Sequence, residues 1–126
     1  MFELMITSGF SAAHQLREYG GKCEAIHGHN WKVEVFVKSS ALDKIGMVID
    51  FAKMKEVTNS ILSRLDHKNL NEVYPFTEKN PTAENISLWV FNQLSKELNS
   101  EHIRVSRVRI WETETSCASY TDGEEK

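Results

Sequence analysis

Cysteine and proline each occur only twice in 126 residues. Two cysteines, Cys23 and Cys117, cannot build a disulfide scaffold, and in a reducing compartment each is expected to be a free thiol. No apolar run approaches the roughly 20 residues that cross a bilayer. The longest candidates, such as Met47-Val48-Ile49, are bounded within a few residues by charge or turn formers. The N-terminus has no basic start and no small-residue cleavage site, so it does not read as a signal peptide, and a cytoplasmic protein is expected. An excess of positive charge is absent too. Fifteen Lys and Arg stand against 18 Asp and Glu, a formal charge of −3, and the basic residues are dispersed, which excludes nucleic-acid binding through a broad basic face. A small anionic ligand stays open. No repeat, linker or low-complexity stretch divides the chain. We expect one domain over residues 1–126, with the acidic tail 122–126 frayed. At 40% hydrophobic content and this length, folding buries roughly two-thirds of the unfolded chain's surface, enough for a core without metal or disulfide staples.

Periodicity supplies the elements. Phe2, Leu4, Ile6, Ser8, Phe10, Ala12 and His14 alternate over thirteen residues, a long strand with one buried face that ends in His14. Glu18 to Ala25, with Gly20-Gly21, reads as a loop. Trp31, Val33, Val35 and Val37 alternate against Lys32, Glu34 and Lys38, a second strand able to pair with the first. Asp50 stands as an N-cap before Phe51, Met54, Thr58, Ile61 and Leu65, an amphipathic helix ending near Leu65. Asp66 to Asn80 is read as a connecting loop. Asn80-Pro81-Thr82 opens a second helix with Pro81 in its first turn and a stripe of Ile86, Trp89, Val90, Leu94 and Leu98, closed by Asn99 and Ser100. Ile103 to Trp111 alternates again, with Glu112 on the face of Val108 and Ile110, and Cys117 to Tyr120 forms a short last strand. The class is α+β, in the order ββααββ: a four-stranded antiparallel sheet with both helices on one face.

Several residues carry chemistry. His27 and His29, two apart in extended chain, aim at one face, and pairing of the first two strands brings His14 to them. Three imidazoles with an open position suit a catalytic zinc, whereas structural zinc takes four ligands, commonly with thiolates. An isolated H-x-H favours coincidence; the third histidine, Gly28 between the pair and the nearby Cys23 tip the reading toward a metal. Lys22 beside Cys23 favours the thiolate, a base or nucleophile, although a plain surface thiol fits as well. Cys117 is read as a small packing residue. Asp66-His67 is equally an acid–base pair or a turn with a solvated imidazole. Glu112 is either a buried carboxylate awaiting paired N–H donors or a strand-end residue in water or paired with Arg109. His102 reads as surface.

Taken together, Phe10-Ser11-Ala12-Ala13-His14, Cys23-Glu24-Ala25-Ile26-His27-Gly28-His29-Asn30-Trp31, Leu65-Asp66-His67-Lys68-Asn69-Leu70-Asn71, Asn80-Pro81-Thr82-Ala83-Glu84-Asn85 and Trp111-Glu112-Thr113 resemble the 6-pyruvoyl-tetrahydropterin and 6-carboxytetrahydropterin synthase family, in family order over nearly the whole chain. The resemblance implies the tunnelling fold (T-fold), trimers that pair into a homohexamer with active sites near subunit interfaces, and one Zn2+ per subunit on His14, His27 and His29. By the same comparison Cys23 matches the catalytic thiol, Asp66 and His67 its proton-transfer partners, and Glu112 the pterin anchor. Three residues between Cys23 and His27 look like the bacterial 6-carboxytetrahydropterin synthases of queuosine biosynthesis, lyases that act on 7,8-dihydroneopterin triphosphate. The pyruvoyl enzymes are the alternative. A third branch cleaves the side chain of dihydroneopterin to a hydroxymethyl group with a Glu in place of the thiol, and Glu24 adjoins Cys23. More distant alternatives are a non-catalytic pterin-binding module and an unrelated three-histidine zinc hydrolase. Arg17, Lys22 and Lys68 are candidate triphosphate contacts.

Overall fold

A computed structural model describes residues 1–18 and 24–123. The alternating N-terminal segment forms β1 (Phe2–His14), which pairs antiparallel along its whole length with β2 (His27–Ser39). The register places His14 opposite His27, Ala12 opposite His29 and Phe10 opposite Trp31. Cross-strand partners share a sheet face, so all six point to one side. Helix α1 (Phe51–Leu62) starts where Asp50 accepts a hydrogen bond from the Ala52 N–H at 2.8 Å. It ends three residues before Leu65, which is fully buried in the turn that follows. The apolar spacing therefore continues past the last helical hydrogen bond and overstates the helix.

The expected loop after Asp66 contains β3 (Lys68–Asn69) and a 3₁₀ turn (Leu70–Glu72). β3 pairs parallel with β1 at Ala12 and Ala13. The sheet thus has five strands rather than four and is mixed rather than antiparallel, in the order β3-β1-β2-β4-β5. A two-residue strand is too short to leave a periodic trace. Helix α2 (Ala83–Leu98) is capped by Thr82, whose hydroxyl accepts from the Asn85 N–H at 3.1 Å. Pro81 precedes that cap instead of lying in the first turn. β4 (Ile103–Thr113) pairs with β2, and β5 (Ser116–Thr121) with β4. Among the described residues, no helix is long and apolar enough to cross a membrane.

Both helices close over the face carrying Ile6, Phe10, Trp31 and Val33, and their buried side chains join one cluster with the sheet. Sequence alternation put Glu34 on the polar side, yet it is only 8% exposed. Its carboxylate accepts from the Trp111 indole N–H at 2.6 Å and from Arg109 at 3.3 Å, contacts that offset its desolvation. Cys117, expected to pack, is exposed on β5. His102 is exposed, as expected.

Candidate metal centre

The paired ends of β1 and β2 gather three imidazoles. Ring centroids lie 4.7 Å apart for His14 and His27, 5.2 Å for His14 and His29, and 4.9 Å for His27 and His29. Their ligand atoms all fall within 4.8 Å of one another. Trp31 stacks edge-on against His14 and His29, at 5.0 and 5.3 Å, and floors the cluster. His14 is 1% exposed, His29 partly buried and His27 open to solvent.

Hydrogen bonds orient two of the rings. His14 Nδ1 lies 2.8 Å from the Pro81 carbonyl oxygen, and His27 Nδ1 lies 2.9 Å from that of Ala25. A carbonyl oxygen only accepts, so each Nδ1 carries the proton and each neutral ring presents an Nε2 lone pair. Nε2 of His14 and of His29 are buried without a hydrogen-bond partner, a costly state for polar atoms unless something binds there. Burial, the largest influence, holds the His29 imidazole below the ordinary histidine range, so it too offers a lone pair at neutral pH. The donor set could hold a metal ion, and three neutral imidazoles without thiolates suit a borderline divalent cation.

The Glu112 carboxylate reaches the same place. Its Oε2 lies 3.3 Å from His14 Nε2 and 3.8 Å from His29 Nε2. The proximity is that of an ion pair, but the His14 contact lacks hydrogen-bond geometry, since His14 Nε2 stays unpartnered. Arg109, the expected alternative partner, pairs with Glu34 instead. Glu24 flanks the opposite side, with Oε1 4.0 Å from His27 Nε2 and accepting from the Leu16 N–H at 3.2 Å.

Asp66 and His67 are fastened to β1 at Ser11, three positions before His14. Asp66 accepts from the Ser11 N–H at 2.8 Å, and the His67 N–H donates to the Ser11 carbonyl at 2.6 Å. The Ser11 N–H is the chief reason the Asp66 carboxyl titrates below the ordinary carboxylate range. Asp66 Oδ2 stands 3.0 Å from His67 Nδ1, so the pair does touch. His67 adopts φ 58° and leaves its side chain 82% exposed. It lines a groove of about 510 Å³ with Ser11, Ala13, Asn30 and Lys68. Ser11, Ala13 and Asn30 alternate with the imidazole positions, whereas Ala12 and His29, which line the same groove, belong to the imidazole face, so the groove with His67 touches both.

Cys23 and Lys22 lie outside the described residues. Arg17 donates to the carbonyls of Phe76 and Lys79, both at 2.8 Å, which commits one guanidinium nitrogen to the fold. Two asparagines that sequence reading assigned to turns act as ladder partners instead. The Asn71 amide bonds both the N–H and the C=O of Gln15, and Asn80 does the same for Arg17. These contacts hold the chain after His14 against the Pro81 turn. A backbone carbonyl acting as an imidazole acceptor leaves no mark in a sequence, so Pro81 could not be found there.

A family model described as 6-pyruvoyl tetrahydropterin synthase matches residues 3–123. The chain belongs to this family. A protein of Archaeoglobus fulgidus, provisionally named 6-carboxy-5,6,7,8-tetrahydropterin synthase, is 39% identical over 113 residues, 90% of each chain. A dihydroneopterin monophosphate aldolase of Pyrococcus furiosus is 35% identical, covering 86% of this chain and 88% of the relative. Among solved structures, Caenorhabditis elegans 6-pyruvoyl tetrahydropterin synthase superposes with a TM-score of 0.82 at 24% identity, over 97% of this chain and 96% of that one. That likeness establishes the shared fold, the T-fold of this family.

Proposed function

We propose that the chain is a zinc-dependent carbon–carbon lyase that converts 7,8-dihydroneopterin triphosphate to 6-carboxy-5,6,7,8-tetrahydropterin, releasing acetaldehyde and triphosphate, in queuosine biosynthesis in the cytoplasm. The observation that carries this reading is the convergence of His14, His27 and His29, with two buried Nε2 atoms awaiting a partner. The similarity to a relative bearing the 6-carboxy name supports the product.

In this reading His14, His27 and His29 hold Zn2+, one per subunit. The ion supplies Lewis-acid polarisation of the tail hydroxyl oxygens. Glu112 grips the amino-pyrimidine edge of the ring, two adjacent N–H donors matching one carboxylate. Cys23 as thiolate takes a carbon-bound proton. Asp66 holds the His67 ring through Nδ1, which leaves Nε2 to carry the opposite proton movement. In a homohexamer with active sites near subunit interfaces, a pair as exposed as Asp66 and His67 can meet a substrate bound by another subunit. Residues 1–126 then act as one pterin synthase domain.

Incubation of the purified protein with dihydroneopterin triphosphate and mass analysis of the product tests this. Acetaldehyde with a carboxypterin is expected; a pyruvoyl-tailed pterin defeats the choice of branch. A second reading, the aldolase, is favoured by the Glu24 carboxylate 4.0 Å from His27 and by the similarity to the P. furiosus relative. It calls for a 6-hydroxymethyl product, abolished by Glu24→Gln and retained by Cys23→Ser.

A further inference from the structure

We propose that Glu112 is a fourth ligand of the bound metal while no pterin is present, and that it leaves the metal to grip the arriving ring. The inference rests on the metal and pterin-anchor reading above and deepens it.

Three observations carry it. His14 Nδ1 is committed to the Pro81 carbonyl, so Nε2 faces Glu112 as a lone pair. A carboxylate oxygen 3.3 Å from a lone-pair nitrogen, without hydrogen-bond geometry, sets acceptor against acceptor. A cation between them turns that repulsion into two attractive contacts. The separation from His14 agrees and that from His29 runs slightly long, because donors about 2.0–2.2 Å from one tetrahedral ion lie roughly 3.3–3.6 Å from each other. Glu112 stands 3.3 and 3.8 Å from the two buried nitrogens.

The backbone aims the carboxylate there. Pairing of β4 with β2 stops at Trp111, and the register of β4 with β5 shifts between Trp111 and Thr113. Glu112 is the unpaired residue of this irregularity, and such a bulge redirects a side chain. Its side chain is 35% exposed, so it has room to turn away. A two-point grip on the ring edge engages both carboxylate oxygens, so pterin competes with the ion for Oε2, and its binding vacates a coordination position for the substrate's tail.

The experiment loads metal-stripped wild type and Glu112→Gln with Co2+, reading visible absorption and, by chelator competition, affinity. Glu112→Gln is expected to bind Co2+ roughly 10- to 100-fold more weakly and with a changed spectrum. Pterin itself, which has the ring edge but no tail, should shift the wild-type spectrum toward that of the variant. If wild type takes up Co2+ and Glu112→Gln matches it in spectrum and affinity, the inference is overturned while the metal reading stands. A wild-type spectrum indifferent to pterin overturns the exchange. Failure of wild type to bind Co2+ overturns both.

Discussion

At the residue scale, the site depends on how closely β1 and β2 approach. Gly9 lies opposite Lys32, and a Cβ built on it would stand 2.7 Å from the Trp31 carbonyl oxygen. Gly9→Ala must push the strands apart, at about 1–3 kcal/mol. Because Trp31 floors the imidazole cluster, we expect both a lower Tm and weaker Co2+ binding; thermal melts and titrations of the variant check this. His29 sets a pH expectation. Its imidazole titrates below the ordinary value of 6.5, chiefly through burial, so the folded state binds fewer protons than the unfolded one. That costs nothing above 6.5, and stability falls as pH drops from there toward the lowered value. Its lone pair also remains available below 6.5. His29→Gln should flatten the decline of stability as pH falls below 6.5, measured by denaturant titration of the metal-free protein.

At the element scale, the N-terminus of α2 does two jobs. Thr82 caps the helix, and the preceding Pro81 carbonyl holds His14. Asn80 fastens the same turn to Arg17 through its amide and to Asn85 through its carbonyl. Thr82→Ala should cost about 1 kcal/mol, a few degrees in Tm for a domain of this size. It should also loosen Co2+ binding, a change that an exposed cap such as Asp50→Ala on α1 should not produce. The strands and both helices were legible because their apolar residues repeat with periods near two or four, as in Phe10-Ala12-His14 or Ile86-Val90-Leu94. β3 was not. Lys68 and Asn69 form a strand only because Asp66 and His67 grasp the backbone of Ser11, a tertiary contact with no local period.

Across the whole molecule, the sheet separates two chemistries. One face carries the imidazoles, Glu112 and the helix-covered core; the other carries Glu34, Arg109 and Trp111, and the groove of His67 and Lys68 draws on both. Strand alternation made the first face readable, since His14, His27 and His29 follow from two periods and one hairpin-like pairing. The burial of Glu34 escaped notice because its partners, Arg109 and Trp111, lie 75 and 77 residues away.

With an ion held on these imidazoles, the pairing of His14 with His27 would make ion uptake a proofreader of strand alignment. A slip of a single position would set His14 against Gly28 and throw His27 and His29 to the far side. Misaligned hairpins would then offer an ion no three-imidazole set, so binding of an ion would favour the correctly zipped chain.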